Sequence, residues 1–421
     1  MKMRLSQILI LFLCLFAQIG IVAAQSTAPK KFQGFLGTYH PFKGTAYGGS
    51  GFTDGELMQK AFDFGANAIV SHASYNGYTF EENVENNCRQ WDVNKLYGIL
   101  IPPSEKGVVN QPNDTELLKP LGRFPGMIQA AHRFSEVSKQ CAQLSGAIID
   151  DFYHDFPKTI TAEELRDIKD ALLGKRVDEK GNVDHSSPST TPYLKLYAVV
   201  YEHQIDRFNK LGPSDKAALD LVDGISFWIW KQNQNHKKID DYLETIRKDY
   251  PNKEILRGIY IFNSAETPTP ESIHYMFEQA VNEYAEGKIN SLILFSAIWM
   301  SREKISPERW KALDMPNLLN RTYYPFLGEG KGRVIDAKTK LPIKNARVTV
   351  SRFVNGKSLL TARKFTDERG EYRFGGWAGR NRKERVDYEI KIESDSLRTQ
   401  TMSVKLRAGE DIKFADARLK K

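Results

Sequence analysis

The chain has 421 residues, a formal net charge of +8 and 41% hydrophobic residues, enough apolar material for more than one folded unit. The charge is uneven. Residues 327–421 hold 24 lysines and arginines against 13 acidic residues, an excess of +11; the first 24 residues carry +2, and the segment between is left at −5. With no nucleic-acid-binding motif, this pattern argues against a nucleic-acid partner and leaves the basic end available to an anionic glycan or a membrane surface.

Lys2 and Arg4 precede an apolar run from Ile8 to Phe16, and Val22-Ala23-Ala24 offers small residues before Gln25. This pattern predicts a signal peptide over residues 1–24 and export to the periplasm or the extracellular medium. Cys14 follows Phe12-Leu13, not the small residues that precede a lipidated cysteine, so a soluble exported protein is expected. No later run is apolar enough to predict a transmembrane segment. Beyond residue 24 the cysteines are Cys88 and Cys141, which an oxidising compartment would allow to bridge; the sequence leaves bridge and free thiols both open. With no CxxC and no Cys/His cluster, no metal site and no cofactor are expected.

Eight short apolar runs follow: 35-FLGTY, 67-NAIVSHASY, 97-YGILIPP, 146-GAIIDDFY, 195-KLYAVVYEH, 224-GISFWIWK, 257-RGIYIFN and 291-SLILFSAIW. Several are apolar without alternation, as parallel strands buried on both faces require. Helical patterns lie between most of them. Thr53 to Glu56 reads as a capping box opening a helix to Gly65, and Thr161 to Glu164 as a second, with a helix to about Leu173. Met127–Leu144, Ile239–Lys248 and Pro270–Glu286 carry helical stripes, and the polar segment 174–192 reads as an exposed insertion. Strand and helix in alternation predict an α/β fold, and eight strands favour a (β/α)8 TIM barrel over residues 25–326. No GxGxxG follows a strand, which weakens a dinucleotide-binding alternative.

From residue 327 the pattern changes to short alternating strands with frequent turns, predicting an all-β sandwich over 327–421. Its motifs are Gly332-Arg333-Val334-Ile335-Asp336, the run Pro342 to Val348, and Thr366-Asp367 with Gly370, Tyr372 and Phe374. On these residues it resembles the carboxypeptidase regulatory-like, transthyretin-like domain. The resemblance implies an accessory or spacer module without catalysis.

Active sites of such barrels form at the carboxyl ends of the strands, and here those ends collect the polar and aromatic residues. Strand one ends in Tyr39-His40, strand two in His72 with Tyr75, and strand four in Asp150-Asp151. Strand five ends in Tyr201-Glu202-His203, and strand six in Trp228, Trp230 and Lys231. Strand seven ends in Tyr260 and Asn263, and strand eight in Ser296 and Trp299. Successive strand residues face opposite ways, so one of Asp150 and Asp151 is expected to face the mouth, with Asp151, nearer the loop, preferred. Asp151 and Glu202 would form a carboxylate pair for acid/base work at a glycosidic bond, with Glu266 in reserve. Trp228, Trp230, Trp299, Tyr75 and Tyr201 would supply sugar platforms. The segment from Lys31 to about Pro325 is similar in architecture to TIM-barrel glycoside hydrolases, on Gly65-Ala66-Asn67-Ala68, Asp150-Asp151 and the aromatic strand ends. That resemblance implies an exported enzyme that hydrolyses an oligosaccharide or polysaccharide. The chitinase-like DxxDxDxE pattern is absent from strand four. Elimination on a uronate-containing glycan is the alternative, with His72, His203, Tyr201, Tyr260 and Lys231 as base and donor types. A non-catalytic glycan-binding protein is the third reading.

Overall fold

The computed structural model describes residues 36–39, 68–72, 88, 93–100, 102, 123–208, 210–261, 267–295, 307–381, 383–395 and 397–420. The eight apolar runs become eight parallel strands: β1 Leu36–Tyr39, β2 Ala68–His72, β3 Lys95–Leu100, β4 Leu144–Ile149, β5 Lys195–Tyr201, β6 Gly224–Trp228, β7 Glu254–Tyr260 and β8 Ser291–Phe295. They pair in sequence order, and the sheet curls until β1 pairs with both β2 and β8. The period of two sorts the side chains. Val70, Tyr97, Ile99, Ile148, Tyr197, Val199, Trp228, Leu256, Tyr260 and Ile293 form one buried cluster inside the curl. Their neighbours Leu96, Ala147, Ile149, Ala198, Phe227, Ile255 and Leu292 join a larger cluster beneath the helices. Two filled faces explain why the runs lack polar alternation. Gly258 admits the largest inner ring, since a Cβ there would lie 2.0 Å from the Trp228 indole.

The described helices largely follow the sequence pattern. Thr161 caps Ala162–Leu172 with both halves of the capping box formed. Ile239–Asp249 and Pro270–Ala285 match their stripes. The first described helix runs Arg123–Ser138 and stops short of the expected Leu144, because Leu144 already opens β4. Cys88 and Cys141 form a disulfide. The segment 174–192 carries turns and a Val177–Val183 bridge; most of it is exposed, with Ser187 and Thr191 buried as anchors. The Thr53 capping box, its helix and residues 1–24 lie outside the described residues. No described helix is long and apolar enough to cross a membrane.

From Leu327 the chain forms separate sheets, β11-β10-β13-β14 and β12-β9-β15, with β16 added to β9. These strands are β9 Leu327–Asp336, β10 Arg347–Val354, β11 Lys357–Phe365, β12 Glu371–Trp377, β13 Arg385–Ser394, β14 Leu397–Arg407, β15 Asp411–Lys413 and β16 Ala417–Leu419. The sheets share one core that includes Val334, Phe374, Val348, Tyr388 and Ile390. They cover the amino ends of the parallel strands. Asn94, just before β3, donates to the Gly375 carbonyl at 2.7 Å and accepts from the Arg363 amide at 3.2 Å. The fully buried Arg352 guanidinium lies 4.1 Å over the Tyr284 ring and donates to the Tyr284 carbonyl. Arg347 and Arg363 lie 4.4 and 4.6 Å over Tyr193. Desolvation, with Lys195, Arg352 and Arg363 nearby, lowers the Lys95 ammonium to about 8 against the attraction of Glu254. Part of the basic excess of the C-terminal region is therefore built into this contact.

One buried ion pair fixes the outer helix behind β7. Arg257 Nη1 donates to Glu283 Oε1 at 2.6 Å, and both side chains are buried. Removing one partner of such a pair strands the other charge, at about 3–5 kcal/mol, whereas an apolar pair of similar volume is close to neutral. Arg257→Met is therefore expected to lower stability in urea denaturation by about 3–5 kcal/mol, and Arg257→Met with Glu283→Leu to regain most of it. A single variant that matches the wild type contradicts this reading of the pair.

Candidate active site

The carboxyl ends of β4 to β7 stand side by side and converge on one mouth. By parity Asp150 shares the inner side of β4 with Ile148. Asp151 has left the strand, with φ 39° and ψ 33° in the left-handed region, which costs a non-glycine residue about 1–2 kcal/mol. Three contacts hold it. The Asp151 amide donates to Asp150 Oδ1 at 3.1 Å, the Tyr201 hydroxyl donates to Asp151 Oδ1 at 2.6 Å, and His154 Nδ1 lies 3.3 Å from Asp151 Oδ2. The left-handed turn undoes the alternation that would have sent residue 151 outward. Two consecutive aspartates then act on the same two phenols, Tyr201 and Tyr260.

Tyr201 stands on the inner side of β5 with Tyr197 and Val199, and Tyr260 lies within hydrogen-bonding reach of it. Burial, then Tyr260, Asp150 and Asp151, push the Tyr201 phenol well above its usual 10. Burial raises Tyr260 most, the neighbouring Tyr201 hydroxyl lowers it, and Asp150, Asp151 and Glu202 raise it further. Both phenols therefore stay protonated at neutral pH, and Tyr201 donates to Asp151.

Glu202, expected to pair with Asp151, makes backbone contacts of its own, and its charge reaches Tyr260 together with those of Asp150 and Asp151. The Glu202 side chain is 4% exposed, and both its oxygens are engaged. Oε2 accepts the Trp230 amide at 2.8 Å, and Oε1 accepts the Lys231 amide at 2.9 Å and Asn235 Nδ2 at 3.3 Å. Glu202 follows Tyr201 out of β5 and points back along the sheet to the exit of β6.

The two tryptophans of strand six also part. β6 ends at Trp228, whose ring is buried inside the curl and donates Nε1–H to Ser226 Oγ at 2.9 Å. It packs the interior and offers no platform. Trp230, two residues on, is 38% exposed. Its ring meets Tyr201 edge-on at 6.1 Å and Tyr260 at 5.7 Å. His203 stacks on Tyr201 at 5.7 Å with its side chain half exposed. Lys231 is exposed and held at its backbone.

For His72 only the strand backbone is described, while His40, Tyr75, Asn263, Glu266, Ser296 and Trp299 lie outside the described residues. His154 lies beside Asp151, and its spacing of three residues from it was the available signal in the sequence. Gln232, buried at the exit of β6, carried no signal in the sequence. Among the described residues no group of three or more His, Cys, Asp or Glu is placed to hold a metal ion. A separate polar hollow of 570 Å³ lies away from this mouth, between helices Ile239–Asp249 and Pro270–Ala285 and Arg380. Charges on its wall pair with one another, Glu286 with Lys288 and Arg380.

No family model and no curated protein matches the chain. Among solved structures, a Bacteroides uniformis β-glucuronidase is similar over 91% of this chain at 12% identity and TM-score 0.37, and the chain spans 46% of that protein. The C-terminal domain of the Lactobacillus rhamnosus GG shaft pilin SpaA matches 22% of this chain and 97% of its own length, at 13% identity and TM-score 0.17. The Bacillus anthracis TIE protein matches 23% of this chain and 17% of its own, at 23% identity and TM-score 0.19. These are distant likenesses.

The raised Tyr201 phenol has a consequence for stability. The unfolded chain loses this proton near pH 10, whereas the folded protein keeps it well above that. Stability therefore falls as pH rises above about 10, toward the folded-state value. Tyr201→Phe removes this contribution, so its stability is expected to fall less steeply than the wild type's in urea denaturation between about pH 9 and 11. Equal slopes contradict the burial of this phenol.

Proposed function

We propose that the protein is an exported carbohydrate-active enzyme that hydrolyses a glycosidic bond at the mouth formed by β4 to β7. The observation that carries this reading is Asp151. It is held in a left-handed turn by the Tyr201 hydroxyl at 2.6 Å, beside the exposed ring of Trp230. A carboxylate beside an accessible aromatic face suits a pyranose, whose C–H face packs on the ring while its anomeric carbon meets the carboxylate.

The two aspartates divide the work in this reading. Asp151 already accepts a hydrogen bond from Tyr201, which suits a base or nucleophile. Asp150, on the inner side of the same strand end, is assigned the proton for the leaving oxygen. Tyr201 orients Asp151 and remains a donor throughout. Glu202, a catalytic partner in the sequence reading, becomes a support of the mouth. Trp230, Tyr260 and His203 shape the sugar subsite, and no cofactor enters the scheme. His72, Tyr75, Asn263 and Trp299 keep their proposed places at the ends of strands two, seven and eight.

The rest of the chain is read consistently with this. The curled parallel sheet is taken as a (β/α)8 barrel of the glycoside hydrolase type over residues 25–326. Residues 327–421 are taken as a carboxypeptidase regulatory-like β-sandwich, and residues 1–24 as a cleaved signal peptide. The disulfide between Cys88 and Cys141 supports an oxidising compartment.

The test is a panel of p-nitrophenyl glycosides and of neutral and uronate-containing polysaccharides. New reducing ends are the result expected, with Asp151→Asn cutting turnover by about 100-fold or more while circular dichroism stays unchanged. Near-normal activity in that variant sinks the assignment. The ultraviolet band of a conjugated uronate would move the protein to the lyases, and binding without turnover would make it a glycan-binding protein.

A further inference from the structure

The polar side chains buried at the exits of β5 and β6 hold backbone, not substrate-facing groups. Glu202 receives the amides of Trp230 and Lys231 at 2.8 and 2.9 Å. Gln232 repeats the arrangement one strand on. Its Oε1 accepts the Tyr260 amide at 2.9 Å, and its Nε2 donates to the Tyr260 carbonyl at 3.0 Å. Asn233 continues into the next loop, accepting the Thr269 amide at 2.7 Å and donating to the Thr267 carbonyl at 2.9 Å. Each clamp crosses from the end of one strand to the following strand or loop. Together they tie β5 to the exit of β6, and that exit to β7.

The rings carried by this relay are those of the proposed sugar subsite. Trp230 has its amide held by Glu202, and Tyr260 has both backbone groups held by Gln232. The two rings meet edge-on at 5.7 Å. A carboxylate that accepts two amides makes charge-assisted bonds, about twice as strong as neutral ones. His203 Nδ1 also lies 3.8 Å from Glu202 Oε2. Held backbone makes Trp230 a rigid platform, and rigidity lowers the entropy lost when a ligand binds.

We infer that Glu202 and Gln232 are positioning residues that pre-set an aromatic subsite of Trp230 and Tyr260 for the apolar face of a pyranose ring beside Asp151. The backbone clamps stand on geometry alone, while their purpose rests on the glycosidase reading above. Glu202→Gln keeps the shape but turns an NH2 toward one of the two amides, breaking that half of the clamp. Gln232→Leu removes the second clamp and spares the first.

Hydrogen–deuterium exchange resolved to single amides tests the clamps without a substrate. Glu202→Gln is expected to speed exchange of one of the Trp230 and Lys231 amides by about tenfold or more, and Gln232→Leu to do so at Tyr260 alone. With p-nitrophenyl glucoside, galactoside, glucuronide and N-acetylglucosaminide as probes, Glu202→Gln and Trp230→Ala are both expected to raise KM about three- to tenfold with little change in kcat. Unchanged exchange at 230 and 231 in Glu202→Gln overturns the proposal. So does a collapse of kcat in that variant with loss of one limb of the pH profile, which would mark Glu202 as the catalytic acid or base. If the wild type turns over none of these glycosides, the glycosidase reading loses support while the exchange result still decides the clamps.

Discussion

The hydrogen bond from the Tyr201 hydroxyl to the Asp151 carboxylate joins β4 to β5 where β4 stops being a strand. It sets the direction of a residue that the pleat alone would have turned away from the mouth. The left-handed backbone at Asp151 is unfavourable by itself, so it persists only because Tyr201, His154 and Asp150 over-determine it. The phenol in turn is fixed by its burial on the inner side of β5 and by Tyr260. Chemistry at this mouth depends on that small set of mutually supporting contacts.

The two ends of the curled sheet are built differently. At the amino ends of the strands, cations and aromatic faces close the structure: Arg352 on Tyr284, and Arg347 with Arg363 on Tyr193. At the carboxyl ends, carboxylates and phenols meet an exposed tryptophan. The C-terminal sheets therefore lie against the end of the strands away from the candidate site. Their effect on it would pass through the stability of the strands and not through direct contact with Asp151.

Much of this architecture was legible in the sequence, because parallel strands buried on two faces leave continuous apolar runs that survive any choice of helix boundaries. All eight runs became strands, and the Thr161 capping box formed as its spacing required. The site was legible only as a neighbourhood. Asp151 and Tyr201 were identified, yet their contact depends on a backbone conformation that no residue type announces; aspartate in the left-handed region is uncommon. The contacts of Glu202 were not legible, because two backbone amides cannot be read from side-chain chemistry. Trp228 and Trp230 looked equivalent under strict alternation. The strand ends at Trp228, so one ring fills the interior and the other reaches solvent. The bridge between Cys88 and Cys141 was an open choice that only the fold could make.

The most direct test of the central claim is a crystal structure of Asp151→Asn bound to the oligosaccharide that the wild type turns over. The account predicts a sugar ring on the exposed face of Trp230, with the oxygen of the scissile bond in hydrogen-bonding reach, about 3 Å, of Asp150 or residue 151. A sugar bound instead on the C-terminal sheets, with the mouth empty, would contradict it.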